Sequence, residues 1–319
     1  MTAILNRIKP DDFPILIAGG FIVVILLAGT AYTVTVMGTA PLLTPNYLMT
    51  QLQIGAFLGI AAVGMMMVIL LGHIDLSIPW TMAAAAMMAT TVGGPWAIPT
   101  GLAIGLLIGL FNGFGVAYLR IPSMIFTLGV DSVLRGLMVA HTGGYAPQTE
   151  ATELMRWLAS GRILGIPNAL FVWAAIALII GAMLQRTAFG RAIYATGNRE
   201  AAAYLSGIRT KWVIVGAFVT CSLCAACAGM LLAGYSTRAY QGMGNTYLLP
   251  SIAAVVIGGT RILGGSGRLI GTVVGVILIV LLNSVLSIMQ MPEAGRQIIY
   301  GSVIVGMLLV YGRNAKVTA

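Results

Sequence analysis

The sequence predicts an all-α, polytopic membrane protein. Three observations carry this: charged residues are 8% of the chain, hydrophobic residues are 59% with a mean hydropathy of +0.99, and the apolar residues fall into runs about as long as a membrane crossing. A soluble domain carries about 25% charged residues, and a water-facing surface cannot be built from a third of that. Lipid must therefore cover much of the chain. In a soluble protein the net charge of +9 would suit a nucleic-acid partner. Here the basic residues sit between the apolar runs, not on one patch, so no nucleic-acid partner is expected.

Runs of about 20 apolar residues define about ten segments, near 13–37, 52–71, 76–92, 100–119, 121–140, 168–185, 212–235, 248–260, 269–290 and 297–312. The first is too long for the h-region of a signal peptide, about 7–15 residues, and is expected to be a retained span. The segment 248–260 is too short to cross as one straight helix. The segments near Ile74–Val92 and Ile121–Ala140 are interrupted by polar residues. Broken or re-entrant helices shielded by protein are expected at all three, because lipid cannot satisfy open backbone groups.

With the N-terminus inside and the segments alternating, Arg7, Lys9, Arg120, Arg186, Arg191, Arg199, Arg209, Lys211, Arg261, Arg268, Arg313 and Lys316 fall in the cytoplasm. Only Arg156, Arg162, Arg238 and Arg296 fall outside, while Arg135 lies within a span. This bias predicts both termini cytoplasmic and a single transmembrane domain over 1–319. Two loops are long. The external one, about 141–167, holds the amphipathic stretch Glu150–Leu158, expected as a short surface helix. The cytoplasmic one, about 186–211, has an Ala-rich run after Glu200 that ends at Gly207, which reads as a helix with a start and a stop.

Few residues suggest chemistry. The tract Gly259-Thr-Arg-Ile-Leu-Gly264-Gly265-Ser266 has the glycine spacing of a phosphate-binding loop, but Gly265 stands where that motif needs lysine. It reads as a glycine-rich turn. Cys221, Cys224 and Cys227 repeat every three residues without a fourth soft ligand, so they read as small residues at a helix interface. His73 and His141 lie on separate predicted loops, giving no metal site, and no nucleophile, base and orienter set is present, so no enzyme is expected. Gly101, Gly105, Gly109 and Gly113, and again Gly267, Gly271 and Gly275, form stripes that let helices approach closely.

The ionisable groups within spans are the sharper signal, since each costs about 2.5–3.5 kcal/mol at a helix centre on insertion scales. Asp131 and Arg135 are four apart in the order that favours an ion pair, and are expected to lock a broken helix or to line the pathway. Asp75 and Ser77, in Gly72-His-Ile-Asp-Leu-Ser-Ile-Pro79, are expected to cap the helix that follows or to meet solute. A competing reading on the same residues is an ion-coupled secondary transporter or channel with Asp131 or Asp75 at a broken helix.

Four motifs in order resemble one family, the membrane permease subunits of bacterial ATP-binding-cassette importers for monosaccharides of the ribose, xylose and autoinducer-2 type. They are Gly72-His-Ile-Asp-Leu-Ser77; Phe111-Asn112-Gly113 with Ile121-Pro-Ser-Met-Ile-Phe-Thr-Leu-Gly129 and Arg135-Gly-Leu137; Phe189-Gly190-Arg191 through Gly197-Asn198 to Leu205-Ser-Gly207-Ile208; and Ile252-Ala-Ala-Val-Val-Ile-Gly-Gly-Thr260 with Gly264-Gly265. The resemblance implies a coupling helix that docks on an ATPase, assigned to Gly190, Arg191, Asn198, Arg199, Glu200, Ala201, Ala202 and Gly207, the glycine falling one residue later than usual. It also implies pathway or structural polar residues at Asp75, Ser77, Asn112, Asp131 and Arg135. The implied partners are a second permease copy or a paralogue, two ATP-binding subunits that bind the ATP, a periplasmic or extracellular sugar-binding protein, and lipid. The implied location is the bacterial cytoplasmic (inner) membrane, with no cofactor on this chain. His73, Pro79 and Pro250 depart from the family pattern beside the expected pathway.

Overall fold

The computed structural model describes residues 13–145 and 149–315. Arg7, Lys9 and Lys316 of the charge partition lie outside them. The chain is helical almost throughout: α1 (Phe13–Met37), α2 (Pro45–Ile69), α3 (Ile78–Val92), α4 (Ala97–Ala117), α5 (Ser123–Thr142), α6 (Glu153–Ser160), α7 (Asn168–Arg186), α8 (Ala188–Asn198), α9 (Glu200–Leu205), α10 (Thr210–Tyr235), α11 (Leu248–Ile257), α12 (Leu269–Ile288) and α13 (Glu293–Ala315). A hairpin of β1 (Arg162–Ile163) and β2 (Ile166–Pro167) follows α6. Among the described residues seven helices are long and apolar enough to cross a membrane, namely α1, α2, α4, α5, α7, α10 and α12. The shorter apolar helices are α3 and α11.

The centre is built on α2, α4 and α10. Each glycine of the first stripe faces α10: a β-carbon at Gly109 or Gly113 would lie 2.6 Å from the Cα of Val219 or Val215, and one at Gly105 would lie 2.7 Å from the β-carbon of Ala226. The cysteines do the reciprocal work toward α2, where a β-carbon at Gly64 would lie 2.7 Å from that of Cys224. Such spacing brings backbones together, which in lipid is the main source of packing energy. The second stripe does the same between α12 and α11, Gly271 lying against Gly258 and Gly275 against Ala254.

Chain reversals collect at two ends. The turns 70–77, 118–122, 186–209 and 258–268 share one end, joined by a hydrogen bond from Gly265 N to Leu70 O (2.9 Å) and by the Arg120–Glu200 ion pair (2.7 Å). The turns at 143–145, 149–152 and 236–247 share the other, joined by the bridge between Glu150 and Arg238 and by Gln241 Nε2 donating to Thr142 Oγ1 at 2.8 Å. The surface helix expected over 150–158 starts three residues later, at Glu153, with Thr152 as N-cap accepting from Met155 N.

Two expected breaks exist. With 10 residues, α11 is about 15 Å long, half of a roughly 30 Å hydrocarbon core. Its C-terminus lies against the start of α12, so its N-terminus begins deep in the bundle. The stretch 236–247 runs in to meet it, and Gly244 there packs on the backbone of Pro79 at the head of α3. Helix α3 begins below the bundle end too, because Ser77 bonds Asn112, five residues before the end of α4. Pro79 and Pro250, the departures noted above, both fall in the first turns of these half-helices, where a missing N–H leaves no intrahelical bond unmade.

The third break does not exist. Residues Ser123–Thr142 form one uninterrupted helix that includes His141, which therefore sits on a helix and not on a loop. The polar groups of α5 distort nothing, because Ser123, Thr127 and Ser132 bond within their own helix or toward the segment leading to α3.

Candidate functional site

At the first end, three segments lock into a platform. Thr187 opens α8, its hydroxyl accepting from Gly190 N at 3.2 Å. Gly190 lies against the Leu184 carbonyl, where no side chain fits. Gly197 lies against the Leu70 carbonyl and Gly265 in the same way, and Tyr194 Oη donates to Gly267 O at 2.9 Å. The glycine-rich tract is thus spent on turns and close approach: Gly259, Gly264 and Gly265 have positive φ, and Gly265 N is taken by Leu70. It forms no phosphate cradle.

From this platform α9 projects. Of its six residues only Ala203 is buried, while Ala201, Ala202, Tyr204 and Leu205 are exposed. Gly207, with φ +86°, turns the chain back toward α10. Glu200 faces the other way. Its carboxylate pairs with Arg120 Nη1 at 2.7 Å and accepts from Thr210 Oγ1 at 3.3 Å, fastening α9 to the α4–α5 turn and to α10. Arg120 takes positive φ, +57°, to reach it. Lys211 caps the same corner, its Nζ 4.8 Å from the Tyr118 ring centroid.

The sequence-predicted coupling residues therefore divide. Arg191, Asn198, Arg199, Ala201, Ala202 and Gly207 are exposed, whereas Gly190 is buried and Glu200 is turned inward as a fastener. Missing from the expectation are Tyr204 and Leu205, 69% and 85% exposed. Two large apolar side chains on the water face of a six-residue helix were the available signal. His73 sits beside this corner, and burial pushes its imidazole below the usual value, Glu200 opposing and Arg120 reinforcing that effect.

Deeper in the bundle, Asp75 is fully buried. Its Oδ1 accepts from Ser77 N (2.9 Å), Ser77 Oγ (2.6 Å) and Asn112 Nδ2 (3.5 Å), and Asn112 Nδ2 also donates to Ser77 Oγ at 2.8 Å. Ser77 is the N-cap residue of α3, yet it makes no side-chain cap of its own; Asp75 takes its amide instead. On the flank, Ile74 N and Leu76 N donate to Ser123 Oγ and Thr127 Oγ1 of α5. The cluster of Asp75, Ser77 and Asn112 holds the irregular 74–77 segment, where no regular ladder can.

Asp131 and Arg135 form no ion pair. Asp131 is half-buried and turned toward the Trp80 backbone at the head of α3, while Arg135, one turn further on, is exposed. Around it α5 is open as well: a β-carbon at Gly129 or Gly136 would meet nothing within 4 Å. An arginine exposed on an apolar helix does not suit lipid contact, so this face belongs against protein or water.

At the second end the acid–base groups assemble as a cluster. Glu150 lies 3.6 Å from both Arg156 and Arg238, and the β1–β2 hairpin presents Leu164 at 96% exposure. Among the described residues no group of three or more His, Cys, Asp or Glu side chains could hold a metal.

Glycine-packed membrane helices, two short apolar helices that start inside the bundle and a projecting knob at one end suit a membrane transport component, and comparison with known proteins agrees. The family profile described as "Branched-chain amino acid transport system / permease component" matches residues 47–310. The chain is 36% identical over 275 residues to the ribose import permease protein of Escherichia coli (strain K12), covering 84% of this chain and 86% of that protein. It is 35% identical over 242 residues to the ribose import permease protein of Haemophilus influenzae, covering 73% and 75%. It is 34% identical over 257 residues to the autoinducer 2 import system permease protein of Salmonella typhimurium, covering 79% and 74%. No solved structure is detectably similar. The chain belongs to this family of permease components: it is a multi-pass membrane transport subunit and not an enzyme.

Proposed function

We propose that this chain is the single-domain permease subunit of an ATP-binding-cassette importer in the bacterial cytoplasmic membrane. It passes a monosaccharide delivered by an external binding protein and is driven by separate ATP-binding subunits. The platform end, with Arg120 and the basic 186–211 loop, is cytoplasmic, and both termini lie on that side by the excess of basic residues there. The observation that carries the reading is α9: a short helix whose apolar tip is exposed while its acid is fastened inward. An exposed apolar knob on a rigid platform suits a cleft on a partner, and the fastener transmits the partner's motion to α4, α5 and α10. The ATP is held by that partner, with no cofactor on this chain.

A second copy, or a paralogue, covers the face of α5 that carries Arg135, so the pathway runs between two permease subunits. Asp131, Arg135 and the heads of the two half-helices lie toward it, while Asp75, Ser77 and Asn112 hold the α3 break open behind it. The Glu150–Arg156–Arg238 cluster and the Leu164 hairpin lie on the side where a binding protein delivers solute.

The test is reconstitution with the partner ATPase and binding protein. Replacing Glu200 and Gly207 together with bulky residues is expected to leave membrane insertion intact and to abolish sugar-stimulated ATP hydrolysis. Full stimulation in that variant would remove the coupling assignment.

A further inference from the structure

At the edge of the platform, the last turns of α7, the first turn of α12 and helix α8 bound a pocket of about 230 Å³. Gly181 and Gln185 line it from α7, Tyr194 from α8, and Arg268 and Ile270 from the start of α12. Both α7 and α12 are long and apolar enough to cross a membrane, and one ends where the other begins. The pocket therefore sits at the level where hydrocarbon gives way to head groups. Gly181 lets the two helices converge there, since a β-carbon on it would lie 2.9 Å from Leu269 Cδ2.

The chemistry of the pocket changes with depth in the membrane. On the platform side it is cationic and rich in donors. A guanidinium has five N–H donors, so Arg268 can meet an anion while keeping the contact it already makes. Among the described residues the Gln185 amide has no hydrogen-bond partner, and the Tyr194 ring is held in the wall by its hydroxyl donating to Gly267 O at 2.9 Å. Arg186, next to Gln185, and Arg191, one turn before Tyr194, are exposed as well. No Asp or Glu occurs in 181–199 or 258–275, the stretches that build the pocket. Toward the membrane centre the surroundings turn apolar: Leu178 shares the α7 face of Gly181 and Gln185 by its spacing, and it and Ile270 are exposed. The volume equals that of about seven waters at about 30 Å³ each, room for a phosphodiester and its flanking carbons but not for acyl chains. A cationic, donor-lined recess between membrane helices, continuous with exposed apolar surface, matches an anionic lipid. A free phosphate would leave the apolar surface unused, and a zwitterionic head group would bring its own cation toward the arginines.

We propose that this pocket holds the phosphodiester of one anionic phospholipid of the phosphatidylglycerol type, drawn from the leaflet at the platform end. Arg268 and the Gln185 amide donate to the phosphate oxygens, and the acyl chains run along Leu178 and Ile270. The bound lipid clamps α7 and α8, which lead into the α9 knob, to α12, so the firmness of the platform depends on lipid charge. The site does not depend on which side of the membrane the platform faces or on what the chain transports.

The experiment uses the full-length protein, delipidated in a neutral detergent, with dihexanoyl-phosphatidylglycerol, dihexanoyl-phosphatidylcholine and inorganic phosphate added separately. Native mass spectrometry and thermal melts are the readouts. Phosphatidylglycerol is expected to be retained at one molecule per chain and to raise the melting temperature saturably, while phosphatidylcholine and phosphate at the same concentration do neither. R268Q, which removes the charge, and Q185E, which puts a like charge against the phosphate, are each expected to weaken phosphatidylglycerol binding about fivefold or more. Q185E is an isosteric change at an exposed position, so its melt without lipid is expected to match wild type, and it supplies the reading if R268Q fails to fold. The proposal is overturned if no phosphatidylglycerol is retained, if phosphatidylcholine is retained equally, if phosphate alone reproduces the rise in melting temperature, or if the folded variants bind phosphatidylglycerol as wild type does.

Discussion

Replacing Tyr204 and Leu205 together by serine is expected to uncouple the permease from its ATPase without disturbing the permease. The two side chains are 69% and 85% exposed, so the free chain gains almost nothing from burying them, and their loss costs its fold little. Docking is where they count. Burying a large apolar side chain contributes about 1.5–3 kcal/mol, and interface anchors of this size commonly carry about 2 kcal/mol each. Losing both removes about 3–4 kcal/mol, a factor of about 10²–10³ in affinity at about 1.4 kcal/mol per decade. The assay is titration of nanodisc-held permease with the purified ATPase subunit, read as a dissociation constant, beside a thermal melt of the permease alone. Binding weakened less than about threefold, with an unchanged melt, would show that the knob of α9 is not the anchor.

Other consequences follow from the same contacts. Gly113→Val places a β-carbon 2.6 Å from the Val215 Cα, so overpacking is expected to cost about 1–3 kcal/mol or more and to lower the melting temperature, while Gly129→Ala, which meets nothing within 4 Å, leaves the isolated chain's melt unchanged. Asp75→Leu strands the Ser77 amide and hydroxyl in a dry site, at about 1–3 kcal/mol for each unpaired group, whereas Asp75→Asn keeps an acceptor oxygen and is expected to be much milder by scanning fluorimetry. The His73 imidazole is held below its usual value of 6.5, so the unfolded chain takes up its proton first: the contribution is fully present above about pH 6.5 and is lost as pH falls. Amide exchange at the platform is expected to quicken between pH 7.5 and 5.5 in wild type, and His73→Gln to flatten that change.

The opposite roles of Glu200 and Leu205 show where sequence reasoning stops. Both were in one short Ala-rich run, and local pattern marked it as a helix with a start and a stop. Which side faces the bundle depends on Arg120, 80 residues away in sequence, and on Thr210 across the next turn. The same limit separates Asp131 from Arg135. A four-residue spacing permits an ion pair, but α3 offers Asp131 the Trp80 backbone and nothing draws Arg135 inward, so the helix neither pairs them nor breaks.

By itself the sequence determined the membrane class, the rough positions of the seven long apolar helices among the described residues, the glycine faces and the shortness of α11. Lipid is a uniform solvent, so length, apolarity and small-residue spacing along a local stretch are enough to decide those. Only the tertiary structure decided that the glycine-rich tract braces the end of α2, that Glu200 fastens while Tyr204 and Leu205 project, and that Gln185, Tyr194 and Arg268 share one pocket. These depend on which distant segments meet, and the packing of close-fitting helices sets that geometry, which no periodicity along the chain records.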